Sequence, residues 1–496
     1  MVKFIHRVTL IFLLIGGSCM SKTIAIEPLT RIEGHLKVET HTDNQRVTDA
    51  FISGQMYRGF EKFLENRHPV DAARIAQRVC GVCHEVHGVA SVIALEDLYN
   101  NPSPRNGHIL RDMILGLHLI TDHFLHFYTL CVPDFVDFTQ ILNYNGGDTE
   151  ILALKNWVAK TKPQFVLKRN AGNYITHTST ALGIVANYFQ ALKIRSMGAS
   201  GMAIIGAKAP FSHAVLPGGI TTDITPDKLM YYHNVLEKVK HFTVNCYIPD
   251  VMAVAKHFKE YFNIGVSYGN FYSNKTFSAL GKPIFESGII LNGNREPFSM
   301  ANVKEYLDTS FYDGSGNPNP KKKDAYSWTK SPRYKGEPVE VGPLARLIIG
   351  NNGYFNGMMK KLGAPVKSST MARHVARAAE TRILLDHMYN LLDSYRFGEP
   401  TIRQVDFAKK VTGKGIGLSL AARGDLIHQI EAVNGKITRY NMIVPSTWNF
   451  GPAANGKRGV VEQSLVGTPV AYSSENSIEV GRVIRSYDPC TACSVH

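Results

Sequence analysis

Apolar and polar residues alternate over positions 24–54, on both sides of a Thr-Asp-Asn-Gln turn at 42–45. A period of two is typical of strands with one buried face, so we expect an antiparallel β-hairpin region there. The apolar spacing becomes helical at 70–130, and long helical patterns follow at about 150–197 and 226–262. The first half of the chain is therefore predicted to be a β region followed by long helices.

The second half of the chain mixes the two patterns. Positions 263–345 are rich in Gly, Asn, Pro and aromatic residues, which indicates an insertion of loops and short strands. A helix is predicted at 371–396, and positions 418–445 predict two strands joined at Asn434-Gly435, a dipeptide that favours hairpin turns. The predicted fold class is α+β and predominantly α, with a long-helix bundle core and small peripheral β-sheets and hairpins.

These patterns divide the chain into six segments. They are an apolar N-terminal extension at 1–20, a β-rich segment at 21–70, a helical core at 71–262, the loop and strand insertion at 263–345, a second helical segment at 346–414, and a β-hairpin with a C-terminal segment at 415–496. A chain of 496 residues, 44% of them hydrophobic, can bury large cores without a metal or a disulfide to hold it together.

The chain is basic, with a formal net charge of +14. Such a charge would suit a nucleic acid or an anionic surface, but the Lys and Arg residues are scattered and only 321–323 forms a short run. That run lies in a Gly-, Asn- and Pro-rich stretch and is interpreted as a solvated loop. We therefore predict no nucleic-acid partner.

Four of the seven cysteines form two Cys-x-x-Cys pairs, Cys80/Cys83 and Cys490/Cys493, near opposite ends of the chain. Four thiolates that meet at one point form a site for a soft metal such as zinc, iron, nickel or copper(I). Taken alone, two such pairs more often indicate a structural zinc. Zinc ribbons, however, fold small local modules, whereas these pairs are separated by most of a chain that can bury large cores unaided.

The residues around both pairs are polar and charged, as expected of groups that surround a reactive metal and relay protons. They read Arg78-Val-Cys80-Gly-Val-Cys83-His84-Glu-Val-His87 and Asp488-Pro-Cys490-Thr-Ala-Cys493-Ser-Val-His496. At these residues the chain resembles the large subunit of the nickel-iron hydrogenases, whose signatures have the forms RxCGxCxxxH and DPCxxCxxH. Further blocks that resemble the family, in its order, are 31–35, 56–61, 326–334, 340–346 and 444–449, and the resemblance covers about 22–496.

The resemblance implies a reversible, heterolytic oxidation of dihydrogen to protons and electrons, in the uptake direction and most similar to membrane-associated uptake enzymes. It implies that Cys80 and Cys490 are terminal nickel ligands, and that Cys83 and Cys493 bridge nickel to an iron that carries carbon monoxide and two cyanide ligands. Two rivals exist. A non-catalytic relative, like the complex I subunit descended from this fold, lacks the four cysteines, and a zinc-stabilised scaffold would hold zinc without redox activity.

Cys19, Cys131 and Cys246 are the remaining thiols, too few to hold a four-cysteine iron–sulfur cluster in this chain. Electrons must therefore leave through another polypeptide, which the family supplies as a small subunit with iron–sulfur clusters. The expected acceptor beyond it is a membrane cytochrome b with quinone, or another carrier. Heterodimers of this kind can also assemble into higher oligomers.

By the resemblance, Glu33 in the Arg-Ile-Glu-Gly-His block is the proton carrier. A carboxylate near a metal-bound thiolate can accept a proton and pass it outward, provided that burial has raised its pKa toward neutrality. The alternative is a structural ion pair between Glu33 and a nearby arginine such as Arg31.

Arg423 lies in an Ala-Ala-Arg-Gly run at 421–424, where the family often has Ala-Pro-Arg-Gly. The resemblance implies that its guanidinium hangs over the metals and hydrogen-bonds a cyanide, since a fixed cation there can polarise dihydrogen. The residues expected around it are Asp97 and Asp488, which orient the arginine, and Ala422, Pro445 and Ser446, which face the cofactor.

Histidines recur near the first cysteine pair. His87, four residues beyond Cys83 on a predicted helix, is expected to donate a hydrogen bond to the bridging sulfur and to tune its basicity. His118, His123 and His126 share one helical stretch, but only the last two are adjacent on one face. We interpret these three as hydrogen-bonded packing rather than as a metal cluster.

Glu61 and His496 match family ligands of a second, hard ion, usually magnesium, together with a backbone carbonyl that aligns with Met442. A carboxylate and a carbonyl suit such an ion, and waters would complete its shell. Family precursors continue past this histidine and are cut there once nickel is loaded. A chain that ends at His496 is therefore expected to be the processed form.

Residues 1–20 begin with Lys3, His6 and Arg7, followed by a mostly apolar stretch at 8–17. This is the layout of an export signal and is too short to span a membrane comfortably. The alternative is a gene-model extension with Met20 as the start, because family large subunits usually begin close to Ile24 and travel with the small subunit. We expect a membrane association through that subunit, on the periplasmic or outer face, with a cytoplasmic location as the alternative.

Overall fold

The computed structural model describes residues 22–163, 172–274, 276–470 and 477–496. The export signal or gene-model extension predicted at 1–20 lies outside these residues. Within them, no helix is both long enough and apolar enough to cross a bilayer.

Helices form most of the regular structure. In chain order they are α1 (Phe60–Leu64), α2 (Asp71–Ala76), α3 (His84–Tyr99), α4 (Arg105–Phe124), α5 (Val132–Phe135), α6 (Thr149–Thr161), α7 (Thr178–Gly206), α8 (Pro226–Phe242), α9 (Ile248–His257), α10 (Pro343–Ile349), α11 (Gly353–Leu362), α12 (Thr370–Ser394), α13 (Pro445–Phe450), α14 (Val460–Leu465), α15 (Ile478–Ser486) and α16 (Thr491–Ser494). Short π-helical turns, Leu125–Cys131 and Thr243–Tyr247, continue α4 and α8.

The strands form small antiparallel sheets. Their order is β1 (Lys22–Ile26), β2 (Leu36–Asp43) and β3 (Arg46–Gly54) in one sheet; β4 (Val215–Leu216) with β5 (Gly219–Ile220); β6 (Phe271–Ser273), β7 (Gly288–Leu291) and β8 (Asn294–Glu296); β9 (Val303–Tyr306) with β10 (Ser331–Tyr334); and β11 (Gly413–Ala421), β12 (Gly424–Val433) and β13 (Lys436–Ile443). The predicted α+β class, with a helical core and peripheral sheets, is confirmed.

The core is built on long helices that pack side by side. α4 lies against both α7 and α12, and α7 also packs on α8. The largest apolar cluster draws buried side chains from Phe60 to Cys493, so both cysteine pairs belong to one continuous core. Apolar burial on this scale holds the helices together without help from a metal.

One predicted helix is wrong in extent. The pattern at 150–197 predicts a single helix, but α6 ends at Thr161 and α7 begins at Thr178. Lys162 has a left-handed backbone with φ of 45°, and Pro163 follows it. Because a proline disfavours a helical conformation in the residue before it, the helix ends there.

The turn predicted at Asn434-Gly435 is confirmed. Both residues have positive φ, 50° and 74°, and they join β12 to β13. Such angles match the right-handed twist of the flanking strands. The structure adds β11 as a third strand on the other side of β12, which the sequence pattern did not separate from the hairpin.

Helix α3 lies directly on strand β11. A Cβ atom added at Gly417 would come within 1.8 Å of the Ala90 oxygen, and one at Gly415 within 2.1 Å of the Ala94 oxygen. Only glycine allows a helix backbone and a strand backbone to approach so closely. This contact places α3, and with it the first cysteine pair, against the C-terminal sheet of β11, β12 and β13.

We expect Gly417→Ala to destabilise the protein by about 1–3 kcal/mol, because the added methyl group forces α3 away from β11. Gly413→Ala is the matched control on the same strand, since its Cβ would meet only Leu98 Cδ1, at 3.6 Å. Denaturant unfolding of both variants checks this. Equal midpoints for the two variants would contradict the close contact.

Candidate metal centre

The two cysteine pairs meet in the folded chain. Cys80 and Cys83 precede α3, while Cys490 and Cys493 flank and occupy the short helix α16. The Sγ atoms of Cys80 and Cys490 are 3.5 Å apart, those of Cys83 and Cys493 are 3.0 Å apart, and all four lie within 4.8 Å of one another. Each cysteine is at most 4% exposed. Four converging, buried sulfurs form a site for a soft metal.

Main-chain hydrogen bonds hold Glu33 against the second cysteine pair. The Glu33 amide donates to the Pro489 oxygen at 3.2 Å, and the Thr491 amide donates to the Glu33 oxygen at 2.8 Å. Gly34 follows with φ of +87°, and a Cβ there would lie 2.4 Å from the Ala492 nitrogen. The Glu33-Gly34 dipeptide therefore approaches Cys490 as closely as a backbone can.

Arg58 ties the two cysteine loops to each other. Its guanidinium donates to the Val79 oxygen beside the first pair and to the Ala492 oxygen inside the second pair. A planar guanidinium with several donors can hold two carbonyls at once, which a lysine ammonium does less rigidly. This role was not predicted, although Arg58 lies in the 56–61 block of the sequence.

A narrow cavity opens beside the sulfurs. Its lining is Cys83, Val86, His87, Ala421, Arg423, Leu426, Pro445, Ser446, Cys490 and Cys493. The Ser446 hydroxyl also accepts a hydrogen bond from the Cys490 amide at 3.0 Å. Pro445 and Ser446 therefore line the cavity, as does Ala421, whereas Ala422 does not.

Arg423 is the cation of this cavity. Its Nε donates to the Asp488 main-chain oxygen, and its guanidinium forms an ion pair with Asp488 Oδ1, each at 2.9 Å. Burial opposes the charge, but Asp488 and the thiolates hold the pKa of Arg423 well above its ordinary value. Among the described residues, Nη1 of Arg423 has no hydrogen-bond partner, so it can donate to a group bound in the cavity.

Asp97 does not orient Arg423, contrary to the sequence-based expectation. It is exposed near the far end of α3, where Oδ2 accepts a hydrogen bond from the Ile416 amide. Another carboxylate that interacts with Arg423 is Asp122, on α4, which is 2% exposed. Burial raises the pKa of Asp122 to about 6, although Arg423 and Arg195 lower it. In the sequence, the signal for a functional role of Asp122 is a charged residue within the apolar pattern of α4.

The Glu33 side chain is partly buried beside the sulfurs. Burial and the nearby Cys80 raise its pKa above the ordinary value, against smaller opposing effects of Arg423 and Arg58. The alternative role, an ion pair with Arg31, is not what the structure has. The Arg31 guanidinium pairs instead with Asp134 and donates to the Leu130 oxygen.

Three other histidines form buried contacts. His123 Nε2 lies 3.0 Å from Glu380 Oε1, and His126 Nε2 lies 2.6 Å from the Arg485 oxygen. Hydrogen-bonded packing is thus confirmed for both. His118 lies 3.4 Å from Asp122.

His126, Cys131 and His374 also bring ligand atoms within 4.8 Å of one another. The imidazole rings of His126 and His374 are stacked, with 21° between their planes. An imidazole binds a metal in the plane of its ring, so a stacked pair of rings disfavours a shared ion. Arg377 beside both rings further disfavours a cation.

A second group of polar residues lies behind the cysteines. Glu61 Oε1 is 3.0 Å from His496 Nε2 and accepts a hydrogen bond from the Met442 amide, while Lys330 Nζ is 2.7 Å from Glu61 Oε2. The amide and the carbonyl of one strand residue point to the same edge, so the Met442 carbonyl also faces this group. Burial alone would raise the pKa of Glu61, but Lys330 and His496 hold it well below its usual range. The carboxylate, imidazole and carbonyl are compatible with a hard ion.

Chemistry alone leaves the identity of the soft metal open, and comparison with known proteins decides it. The family model for nickel-dependent hydrogenases matches residues 58–496, and one described as HoxL-like matches 23–53. The chain belongs to the nickel-dependent hydrogenase family. It is a large subunit of that family, the hydrogen-converting chain that carries the metal site.

Relatives match this hydrogenase large subunit over nearly their whole length. It is 33% identical to the periplasmic [NiFeSe] hydrogenase large subunit of Desulfomicrobium baculatum, over 95% of this chain and 94% of the relative. It is 31% identical to the hydrogenase-2 large chain of Escherichia coli K12, over 96% and 97%. The reduced Ni-Fe-Se hydrogenase of Desulfovibrio vulgaris Hildenborough superposes with a TM-score of 0.85 at 34% identity, over 96% of this chain and 100% of that one.

We expect Cys490→Ala to lose its nickel, because three sulfurs at this site leave one position of the metal open. Cys246→Ala removes a thiol on α8's π-helical turn, outside the site, and should keep nickel at the wild-type level. Elemental analysis of the purified proteins checks both. A Cys490→Ala variant with full nickel occupancy would show that this residue is not a ligand.

Proposed function

We propose that this large subunit oxidises dihydrogen in the uptake direction at a nickel–iron pair, with Glu33 as the proton acceptor. The observation that supports it best is the backbone pairing of Glu33 with the Cys490 loop, which holds a carboxylate of raised pKa near the Cys80 thiol. A proton acceptor must be held within reach of the proton that it takes. Among relatives, an uptake hydrogenase large subunit of Rhizobium leguminosarum is 30% identical over 96% of this chain.

Cys80 and Cys490 would hold nickel, and Cys83 and Cys493 would bridge it to iron, since thiolates remain good donors to two metals at once. The four ligand residues are cysteines in this sequence, so we propose sulfur ligands throughout. When bound, the pair of metals supplies the site at which dihydrogen is split heterolytically.

The iron would carry one carbon monoxide and two cyanides, and the cavity contains donors that suit them. Arg423 Nη1 is free to donate to one cyanide, and Ser446 with Pro445 faces the position of the other. Asp488 holds Arg423 in place, and Asp122 adds a second carboxylate on the α4 side. A buried, fixed cation of this kind can polarise a bound molecule without reorganising.

The carboxylate of Glu33 would take the proton and pass it outward. Its partly exposed position gives it access both to the sulfurs and to the protein surface. The raised pKa brings it closer to neutrality, which favours reversible proton transfer at physiological pH. His87 lines the same cavity and would adjust the basicity of the Cys83 sulfur.

A magnesium ion is proposed for the second site, held by Glu61, His496 and the Met442 carbonyl. The low pKa of Glu61 keeps its carboxylate charged and available as a ligand. Waters would complete the octahedral shell that magnesium demands.

Electrons would leave through an iron–sulfur small subunit, because the three cysteines outside the two pairs cannot hold a four-cysteine cluster. A relative from Wolinella succinogenes, 31% identical over 96% of this chain, is named a quinone-reactive Ni/Fe-hydrogenase large chain. Together with the periplasmic relative, this supports a quinone-linked acceptor and a place on the outer face of a membrane, reached through the partner.

Metal analysis and infrared spectroscopy of the purified complex test the proposal. Nickel and iron, with carbon monoxide and cyanide stretching bands, are the expected result, together with dihydrogen uptake. Zinc without such bands would overturn it and would leave the cysteines with a structural role.

We expect Glu33→Gln to bind both metals normally but to lower hydrogen/deuterium exchange by about 10²–10⁴-fold, the usual contribution of an acid–base group. The amide keeps the shape of the side chain but cannot take a proton. Glu27→Gln is the matched control, because it removes the same charge from an exposed position of the same segment. Exchange at the wild-type rate in Glu33→Gln would remove this residue from the proton path.

A further inference from the structure

The cation of the metal cavity is carried by a sharp turn between two strands. The backbone of Ala421 pairs with that of Gly424, so Ala422 and Arg423 form the two-residue tip of the β11–β12 hairpin. Gly424 has φ of +144°, a conformation that glycine adopts far more readily than other residues. The position of the Arg423 guanidinium in the cavity therefore depends on the elements that hold this tip.

The loop that leads into α10 packs directly against this tip. A Cβ atom added at Gly342 would lie 3.2 Å from the Arg423 oxygen, and one at Gly424 would lie 2.5 Å from Val341 Cγ2. Glycine on both sides lets the two backbones come so close. The loop is itself held by the side-chain amide of Asn449, which accepts from the Val341 amide at 3.1 Å and donates to the Val341 oxygen at 3.0 Å.

Arg346, on α10, contacts the hairpin on both sides of Arg423. Its Nη2 donates to the Ala421 oxygen at 3.3 Å, and its Nη1 lies 3.8 Å from Asp425 Oδ2. One guanidinium can reach both groups because its donors form a rigid, planar fork. The side chains of Arg346 and Asp425 are fully buried, so water does not weaken the attraction between their charges.

Arg346 is in turn anchored on the helical core. Its Nε and Nη2 donate to the two carboxylate oxygens of Glu380 on α12, each at 2.8 Å, and a bidentate pair of this kind fixes the plane of the guanidinium. Burial alone would raise the pKa of Glu380, but Arg346 and His123 lower it to about 2, so the carboxylate stays charged. Apolar residues of the same volume often stabilise a core as well as a buried ion pair does, so stability alone does not explain this pair.

We propose that Arg346 is a positioning residue for Arg423: anchored on Glu380, it holds both ends of the β11–β12 tip and so keeps the Arg423 guanidinium in the metal cavity. This rests on the proposed nickel–iron site, where Arg423 donates to a cyanide. Arg346 does not itself line the cavity, so its effect on the reaction passes through the tip. A donor that is held in place before the reaction costs no reorganisation when charge develops.

The test begins with Arg346→Lys in the purified complex. A lysine keeps a positive charge beside Glu380, but its ammonium has no fork with which to bind both oxygens of Glu380 and the Ala421 oxygen at once. Nickel and iron should stay at wild-type levels, while the cyanide stretching bands move because Arg423 is no longer held in place. Hydrogen/deuterium exchange should fall by about 10–100-fold, as is usual when a group that orients the surroundings of a metal is lost.

Arg111→Lys is the matched control. Arg111 forms an equally bidentate, buried ion pair with Glu96, at 2.9 and 2.5 Å, but it donates to the Leu216 oxygen and not to the hairpin tip. The same substitution there should leave the cyanide bands in place. Equal shifts in Arg111→Lys and Arg346→Lys would mean that loosening any buried ion pair moves the bands, and would overturn the positioning role.

A double variant separates positioning from a purely structural role. Arg423→Lys removes the donor that Arg346 is proposed to position, and it should lower exchange by about 10²–10³-fold. If Arg346 acts through Arg423, adding Arg346→Lys to that variant lowers exchange no further, because residues that act through one group are not additive. Losses that multiply in the double variant would overturn the proposal.

The outcomes separate this proposal from the proposed function. A wild-type complex without carbon monoxide and cyanide bands would overturn the metal site itself. A wild-type complex with these bands, whose positions are unchanged in Arg346→Lys, would overturn the role of Arg346 alone. If Arg346→Lys does not fold, Glu380→Gln decides instead, because the amide keeps the shape of the anchor but offers Arg346 one acceptor rather than two. Its cyanide bands should also move, and bands at the wild-type positions would overturn the proposal.

Discussion

The structure depends on bringing together two cysteine pairs that lie 410 residues apart in the chain. No local turn can do this, so the whole core has to place them. Two sets of contacts then hold the cysteine pairs close together. Glu33 pairs through its backbone with the Cys490 loop, and Arg58 hydrogen-bonds a carbonyl of each cysteine loop. These contacts are main-chain or guanidinium hydrogen bonds, which hold a geometry more rigidly than apolar packing alone does. The same contacts place a carboxylate beside the sulfurs.

Charge balance is the second constraint, because the site is buried and its sulfurs are thiolates when they bind metal. Arg423 is paired with Asp488 and also attracted by Asp122, and farther into the core Arg346 is paired with Glu380. An unpaired charge in this interior would cost several kcal/mol, whereas paired and hydrogen-bonded charges are tolerated. The arginine that faces the cavity keeps one donor free, which is the feature that a bound anionic ligand can use.

The close packing of α3 on the C-terminal sheet also decides which side chains surround the metal site. The glycines of β11 bring α3 against the sheet, and this contact lets residues of β12 and β13 reach His87. On β13, Met442 faces Glu61, while its neighbour across the sheet is His428. The second ion site and the contact of His428 with His87 are therefore built on one pair of strands. A shift of these strands would be felt at both sites.

Much of this protein was determined by its sequence alone. The spacing of the cysteines and their flanks identified the family, and apolar periodicity predicted the α+β class and the helix that holds His87. The Asn434-Gly435 dipeptide predicted the hairpin turn. Only the tertiary structure decided which distant side chains meet. It replaced Asp97 by Asp122 beside Arg423, and it brought His428 to His87. Periodicity and motif spacing report local geometry, whereas these contacts depend on how helices and strands hundreds of residues apart pack against one another.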